Sequence, residues 1–136
     1  QKSDNDRGTV MKFLDGFQEY AYALLRIVSG LLFLFHGTQK LFSFPIEFPY
    51  GPLSPMITAA SIIEVVGGAL IIVGFLTRPA AFICSGMAAV AYWMAHGTKD
   101  LFPIANGGEL IALYCFIFLF IATRGAGVWS VDRLRG

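Results

Sequence analysis

Four side chains that can exchange protons lie in the apolar part of this sequence: His36, Glu64, His96 and Glu109. An imidazole or carboxyl group held in a site can accept and release protons during a reaction. An ionisable group inside an apolar membrane segment costs free energy, and such a residue marks a functional site by default. We therefore take Glu64, His36 and Glu109 as the candidate catalytic residues.

The elements that must position these residues follow from the composition. Of the 136 residues, 56% are hydrophobic and 14% are charged, whereas an ordinary soluble domain has roughly 25% charged residues. A soluble protein of this size could not bury so much apolar surface. We expect the lipid bilayer to surround the chain. The net charge of +1 gives no reason to expect a nucleic-acid partner.

The apolar residues form four segments that could each cross a bilayer as a helix, which takes about 20 residues. We predict a polar N-terminal segment at 1–19, a C-terminal tail at 124–136, and membrane spans at about 20–42, 56–76, 79–96 and 106–123. Asn106 is placed to cap the fourth helix. The sequence thus predicts an all-α integral membrane protein, a four-helix bundle that runs up-down-up-down.

A heptapeptide recurs in this predicted bundle. The segment HGTQKLF occupies residues 36–42, and HGTKDLF occupies residues 96–102. Both segments end an odd-numbered span, so the pattern indicates a tandem two-helix repeat with parallel halves. The alternative is that two helix ends at the membrane surface have similar requirements without duplication.

The cations predict the direction of the spans. One side of the predicted membrane has Lys2, Arg7, Lys12, Arg78, Arg124, Arg133 and Arg135, whereas the other side has Lys40 and Lys99. Lysine and arginine are in excess on the cytoplasmic side of membrane proteins, so both termini are predicted to be cytoplasmic. We expect Lys40, Lys99 and Arg78 to extend to the membrane surface.

The spacing of neighbouring residues predicts which faces meet. Glu64 shares a helix face with Ala60, Gly67, Gly68 and Ile71, so its carboxyl should point at another helix. Arg26 shares a stripe with Gly30, Phe33, Gly37 and Lys40.

Haem bound between the two histidines, and a metal bound by both histidines and both glutamates, are alternatives that we disfavour because His96 lies near the surface.

Four stretches of the chain resemble the DoxX family of small bacterial membrane proteins: LLRIVSGLLFLFHGTQKLF, EVVGGALIIVGFLTRPAA, NGGELIALY and GAGVWSVD. The resemblance extends from about Tyr20 to Asp132. It implies a four-helix protein of the bacterial inner membrane and a relation to subunits of a thiosulfate:quinone oxidoreductase. The positions that match the family pattern are Arg26, Gly30, His36, Gly37, Lys40, Glu64, Gly67, Gly68, Gly74, Thr77, Arg78, Asn106, Gly107, Gly108 and Glu109.

The residues and the resemblance together predict a quinone-linked redox subunit that works with a partner oxidoreductase. His36, Glu64 and Glu109 would relay protons beside an apolar slot for the quinone. The expected cofactor-binding residues are Arg26, Lys40, Asn106, Tyr114 and Trp93. The alternative is a non-catalytic accessory or assembly subunit of a larger membrane complex, in which Glu64 pairs with Arg26 or His36. Whether the protein is a homo-oligomer is left open.

Overall fold

The computed structural model describes residues 11–136, so the first ten residues of the predicted polar N-terminal segment lie outside the described part. Within residues 11–136 the regular structure is entirely helical, with no strand. A 3-10 helix, Lys12–Phe17, precedes six α-helices: α1 Gln18–Phe42, α2 Pro55–Val73, α3 Thr77–Ala95, α4 Pro103–Asn106, α5 Glu109–Arg124 and α6 Val131–Leu134. The all-α prediction is confirmed.

The ends of α2 follow from local sequence. Ser54 is the N-cap, and its hydroxyl accepts a hydrogen bond from the Ile57 N–H at 3.2 Å. Pro55 occupies the first helical position, where its missing N–H costs nothing. Gly74 then adopts a left-handed conformation with φ of 70°, which glycine reaches without a steric penalty. The helix therefore ends at Val73, before the predicted end of the second span at residue 76.

The predicted cap of the fourth helix is wrong. Asn106 is the last residue of the single turn α4, and the N-cap of α5 is Gly108, which has no side chain to cap it. Pro103 starts the short turn, and Gly107, with φ of 74°, ends it. The Asn106 side-chain oxygen instead accepts a hydrogen bond from the Gly108 N–H at 2.8 Å. The apolar helix that follows has 16 residues.

Helices α1 and α2 pack as an antiparallel pair along a seam of small residues. A Cβ atom added to Gly68 would lie 2.8 Å from the carbonyl oxygen of Gly30, so only glycine allows this close approach. One to two turns further along, Gly37 lies against the Ser61 carbonyl and the Cβ of Glu64. The stripe predicted on α1 is confirmed in its buried members Arg26, Gly30, Phe33 and Gly37.

Helices α3 and α5 form the second antiparallel pair, in which the Ser85 hydroxyl donates to the Cys115 carbonyl at 2.7 Å. The two pairs meet at a close contact between Gly67 of α2 and the Cys84 sulfur of α3. On the other side, the Phe33 ring of α1 packs against Phe118 of α5, with ring centroids 4.8 Å apart. The core therefore lies between the two pairs.

Two continuous helical stretches, Lys12–Phe42 and Pro55–Val73, are long and apolar enough to cross a bilayer, judged by length and composition. Large apolar side chains also cover the outer faces of α3 and α5: Phe82 and Phe116 are each 67% exposed. An exposed apolar surface of this kind suits contact with lipid or another protein.

Candidate functional site

A cavity of about 570 Å³ lies where α1 ends and α2 begins. All four long helices line it, together with Phe48 and Tyr50 of the loop between α1 and α2. We call this end of the molecule, marked by Lys40 and His96, the cavity end. Pockets of 300–1,000 Å³ with apolar walls and a few polar groups are typical sites for small ligands and cofactors.

A partly buried ion pair forms one wall of the cavity. The Lys40 ammonium nitrogen lies 2.6 Å from Oε1 of Glu64, and the two side chains are 25% and 4% exposed. Lys40 therefore does not extend to the membrane surface as expected, and Glu64 pairs with neither Arg26 nor His36. The reason is the close contact at Gly37, which brings the last turn of α1 next to Glu64.

Two buried oxygen atoms at the cavity have no hydrogen-bond partner within the described residues. They are Oε2 of Glu64 and the hydroxyl of Tyr114, and both residues line the cavity. A buried polar atom without a partner costs roughly 1–3 kcal/mol. These two atoms are therefore where a bound ligand would gain the most from hydrogen bonds.

His36 stands between the cavity and a second, smaller groove. Its ring meets the Tyr114 ring edge-on, with centroids 6.0 Å apart. The groove has a volume of about 250 Å³ and runs between α1 and α5, and Pro45 and Ile46 also line it. His36 and Tyr114 line both spaces.

His96 reaches the cavity from the end of α3, and its tautomer follows from its contact. Its Nδ1 lies 2.9 Å from the carbonyl oxygen of Asn106. A carbonyl oxygen only accepts, so Nδ1 donates, and the neutral ring presents Nε2 as an acceptor. The Asn106 side-chain amide donates to the Tyr92 hydroxyl at 3.0 Å and to the Asp100 carbonyl at 3.1 Å. Asn106 thus holds the loop and His96 in place.

The structure brings together four of the predicted site residues and leaves four outside. His36, Lys40, Glu64 and Tyr114 line the cavity, whereas Arg26, Trp93, Asn106 and Glu109 do not. Glu109 is exposed in the first turn of α5, and the residue Trp93 is 64% exposed. No three histidine, cysteine, aspartate or glutamate side chains converge to hold a metal within residues 11–136.

The sequence reasoning missed three methionines among the cavity residues, Met56, Met87 and Met94. Methionine is flexible and polarisable, and it is over-represented on surfaces that bind varied apolar ligands. Three of the four methionines of the chain line this one cavity. For Met56 and Met94 the available signal was their position near the ends of the predicted spans; Met87 lies in the middle of its span and gave no such signal.

Arg26 lies at the opposite end of the molecule, where residues 125–136 fold back onto the helices. We call this the tail end. The Arg26 side chain is fully buried and donates to the carbonyl oxygens of four residues: Ile71, Ala126, Val128 and Trp129. Tyr22 adds a hydrogen bond from its hydroxyl to the Gly125 carbonyl at 2.5 Å. Arg26 therefore binds the C-terminal tail of the chain.

Asp132 completes the tail end by capping α3. Its two carboxylate oxygens accept from the Leu76 and Thr77 N–H groups, each at 2.9 Å. Burial alone would raise the pKa of this carboxyl, but the backbone hydrogen bonds from Thr77 and Leu76 and the nearby Arg135 lower the pKa below its usual value. A negative charge at a helix N-terminus is also favoured by the helix dipole.

An all-helical chain with apolar outer faces, and with an ion pair beside an apolar cavity, has the features of a small membrane protein. The chain belongs to the DoxX family, whose model matches residues 21–97.

Its relatives agree with this membership. An uncharacterized protein of Haemophilus influenzae is 44% identical over 129 residues, which cover 90% of this chain and 96% of the relative. The inner membrane protein YphA of Escherichia coli is 32% identical over 81% of this chain and 86% of its own length. The inner membrane protein YqjF of the same organism is 27% identical over 86% and 93%. These names support the bacterial inner membrane as the location. No solved structure matches the chain.

Proposed function

We propose that the protein is a quinone-binding subunit of the bacterial inner membrane that works with a partner oxidoreductase. The observation that carries the proposal is the pair of unpartnered buried oxygens, Oε2 of Glu64 and the Tyr114 hydroxyl, at one apolar cavity. A quinone combines a flat apolar ring with two polar oxygens, and it needs this combination of surroundings.

The polar groups of the cavity match both forms of a quinone ring. The Lys40 ammonium group and the Tyr114 hydroxyl can donate hydrogen bonds to quinone carbonyl oxygens. Oε2 of Glu64 and Nε2 of His96 can accept from the hydroxyls of the reduced form. When bound, the quinone would supply two-electron, two-proton chemistry. Electrons would come from the reduced partner protein.

Within this site each residue has a distinct role. Glu64 would hold or release the proton at Oε2, while Lys40 holds Oε1 and so orients the carboxyl group. His96 is partly exposed at the cavity end and would exchange protons between the cavity and the aqueous side. His36 would orient the Tyr114 hydroxyl through its ring contact with Tyr114.

We also propose how the chain crosses the membrane. The helices α1, α2, α3 and α5 would form an up-down-up-down bundle, with α4 completing the short fourth span. The predicted tandem repeat is supported by the packing, which is most extensive within the pairs α1–α2 and α3–α5. The positive-inside rule would place both termini in the cytoplasm and the cavity end toward the periplasm.

The test is the quinone content of gently purified protein, measured by mass spectrometry of an organic extract. We expect stoichiometric quinone in the wild type and at least about a tenfold loss in Glu64→Gln, because the amide has no charge to pair with Lys40 and cannot take up or release a proton. Glu19→Gln, at an exposed site near the tail end, is the matched control and should keep the quinone.

The variant Glu109→Gln tests the sequence prediction that Glu109 is catalytic against its position outside the cavity in the structure. Glu109 does not line the cavity, so this variant should also keep the quinone. If Glu64→Gln retains full quinone while it unfolds at the wild-type temperature, the proposed site is wrong. A wild-type protein that carries no quinone and copurifies with one stoichiometric membrane partner would favour the accessory-subunit alternative.

A further inference from the structure

Helices α2 and α3 are in close contact at mid-length, and nearer the cavity end residues of both line the cavity. The close contact is between Gly67 and Cys84, and Ala88 on the same stripe of α3 is fully buried. The next residues of that stripe, by i+3 and i+4 spacing, are Ala91 and Ala95. Ala91 is half-buried, Ala95 is exposed, and both line the cavity. The cavity therefore continues into a gap between the two helices.

The sides of this gap are apolar. Met56 and Ile57 of α2 face it on one side, and Val90 and Met94 of α3 face it on the other. We call these four residues the α2–α3 cleft. Each of them lines the cavity and is more than a third exposed, so the cleft is an opening rather than a closed wall. In a bilayer this opening would face the lipid chains.

Apart from His96, which follows the cleft residue Met94 by two positions at the end of α3, the polar groups of the proposed site lie away from the cleft. Lys40 and His36 belong to α1, Glu64 faces α1 through its ion pair, and Tyr114 belongs to α5. A molecule that satisfies both regions must have a polar head and an apolar chain. The distribution of polar and apolar residues in the cavity fits an amphiphile. Its polar head would contact the residues of α1, and its apolar chain would leave between α2 and α3.

The groove between α1 and α5 is a poorer path for such a chain. The contact between His36 and Tyr114 separates it from the cavity, and the polar Gln39 also lines it. The groove is less than half the volume of the cavity. The α2–α3 cleft is therefore the continuous apolar route from the cavity to the surface.

We propose that the ligand is a lipid-tailed quinone whose ring occupies the cavity and whose tail extends into the bilayer through the α2–α3 cleft. This inference rests on the proposed function and adds the class of quinone and its route. It makes Val90 and Met94 determinants of specificity for the tail, with no part in proton exchange.

The test compares two quinones with the same ring, one with a decyl tail and one with a methyl group, bound to the full chain in nanodiscs. Wild-type protein should bind the decyl form at least about tenfold more tightly. The Val90→Trp variant places a large ring in the cleft. It should reduce this preference to less than about threefold and change the dissociation constant of the methyl form by no more than about twofold.

Two further variants are matched controls. Val66 is an exposed valine of α2 that does not line the cavity, and it is 53% exposed compared with 59% for Val90. Leu32 lines the groove between α1 and α5. Both Val66→Trp and Leu32→Trp should keep the wild-type preference for the decyl tail. All three positions are on outer surfaces, where a tryptophan can be accommodated without repacking the core.

The possible outcomes distinguish a failure of the cleft assignment from a failure of the proposed function. If the wild type binds both quinones equally, or if Val90→Trp keeps the tail preference, the cleft assignment is overturned while quinone binding stands. An equal loss of both quinones in Val90→Trp also overturns it, because Val90 would then contact the ring. If Leu32→Trp removes the preference, the tail uses the other groove. A wild-type protein that binds neither quinone overturns the proposed function itself.

Discussion

The tail end and the cavity end differ in how completely their buried charged groups are hydrogen-bonded. At the tail end, the Arg26 guanidinium group makes four hydrogen bonds to main-chain carbonyl oxygens. At the cavity end, Glu64 has one oxygen bound to Lys40 and the other without a partner. Both charges are nearly excluded from solvent, with Arg26 at 0% and Glu64 at 3% exposed.

The difference indicates which end contributes stability and which end is kept for a ligand. A fully satisfied polar network makes the surrounding structure rigid. An unpartnered oxygen has the opposite effect, because its desolvation is not compensated within the protein. Such an atom is expected at sites where function requires an incomplete arrangement.

The largest effect should come from Arg26→Met at the tail end. Methionine fills similar space but leaves the carbonyl oxygens of the tail without donors. Each buried carbonyl left without a donor costs about 1–3 kcal/mol, so we expect a total loss of at least about 3 kcal/mol in the free energy of unfolding. The C-terminal tail should also become accessible to trypsin, which cleaves after arginine. Thermal unfolding in detergent and limited proteolysis would measure the two effects.

The control for this variant is Arg133→Met. Arg133 pairs with Glu19 at 3.7 Å, and both side chains are more than half exposed, so the cost should be below about 1 kcal/mol. An Arg26→Met protein as stable and as protected as wild type would remove the distinction between the two ends.

A smaller effect is expected at the cavity end from Lys40→Met. This variant leaves the Glu64 carboxyl group without a partner. Because the Lys40 side chain is 25% exposed, water can replace part of the lost interaction, and we expect a loss of about 1–3 kcal/mol. The double variant Lys40→Met with Glu64→Gln removes the unpaired charge and should recover at least half of that loss. Neither Lys40→Met nor the double variant should bind quinone, because each lacks a polar group of the proposed site.

This recovery is what distinguishes the cavity end, because the partners of Arg26 are backbone groups that no second substitution can remove. Unfolding temperatures of the two single variants and the double variant complete the cycle. A double variant as unstable as Lys40→Met would show that the ion pair is needed for the fold itself.

The smallest effect concerns Asp132 and appears only as a dependence on pH. Its pKa is lower in the folded protein than in the unfolded chain. The stability it contributes is therefore fully present above its unfolded pKa of about 3.9 and is lost as the pH falls through the lower folded value.

The variant Asp132→Asn keeps one acceptor for the cap but cannot ionise. The difference in unfolding temperature between wild type and this variant should be constant near neutral pH and should disappear in acid. The partial exposure of Asp132 keeps the expected difference below about 1 kcal/mol. A difference that persists in acid would mean that the charge of Asp132 is not what stabilises the cap.

Several features of the fold could be predicted because they depend on local spacing. The i+3 and i+4 pattern placed Arg26, Gly30, Phe33 and Gly37 on one face of α1, and all four are buried. The same argument for Glu64 predicted a face turned toward another helix, and Glu64 lies against Gly37 of α1. Helical periodicity is a property of the backbone, so it does not depend on the partner.

The members of the site were harder to predict. Depth along the spans suggested that Glu109 would join His36 and Glu64, but Gly107 interrupts the last predicted helix near its start, and Glu109 stays outside the cavity. The partner of Glu64 depends on how far α1 slides along α2, and the glycine contacts at Gly30 and Gly37 set that distance. A sequence pattern does not report a translation between two helices.

The sequence by itself determined that the chain is all-α, apolar on its outer surface and rich in small residues on the faces that pack, because composition and periodicity act within each helix. Only the tertiary structure decided which charges meet. In the folded chain Lys40 pairs with Glu64 beside an open cavity, and Arg26 donates hydrogen bonds to the C-terminal tail. These contacts depend on distances of a few ångströms between segments, which close packing sets.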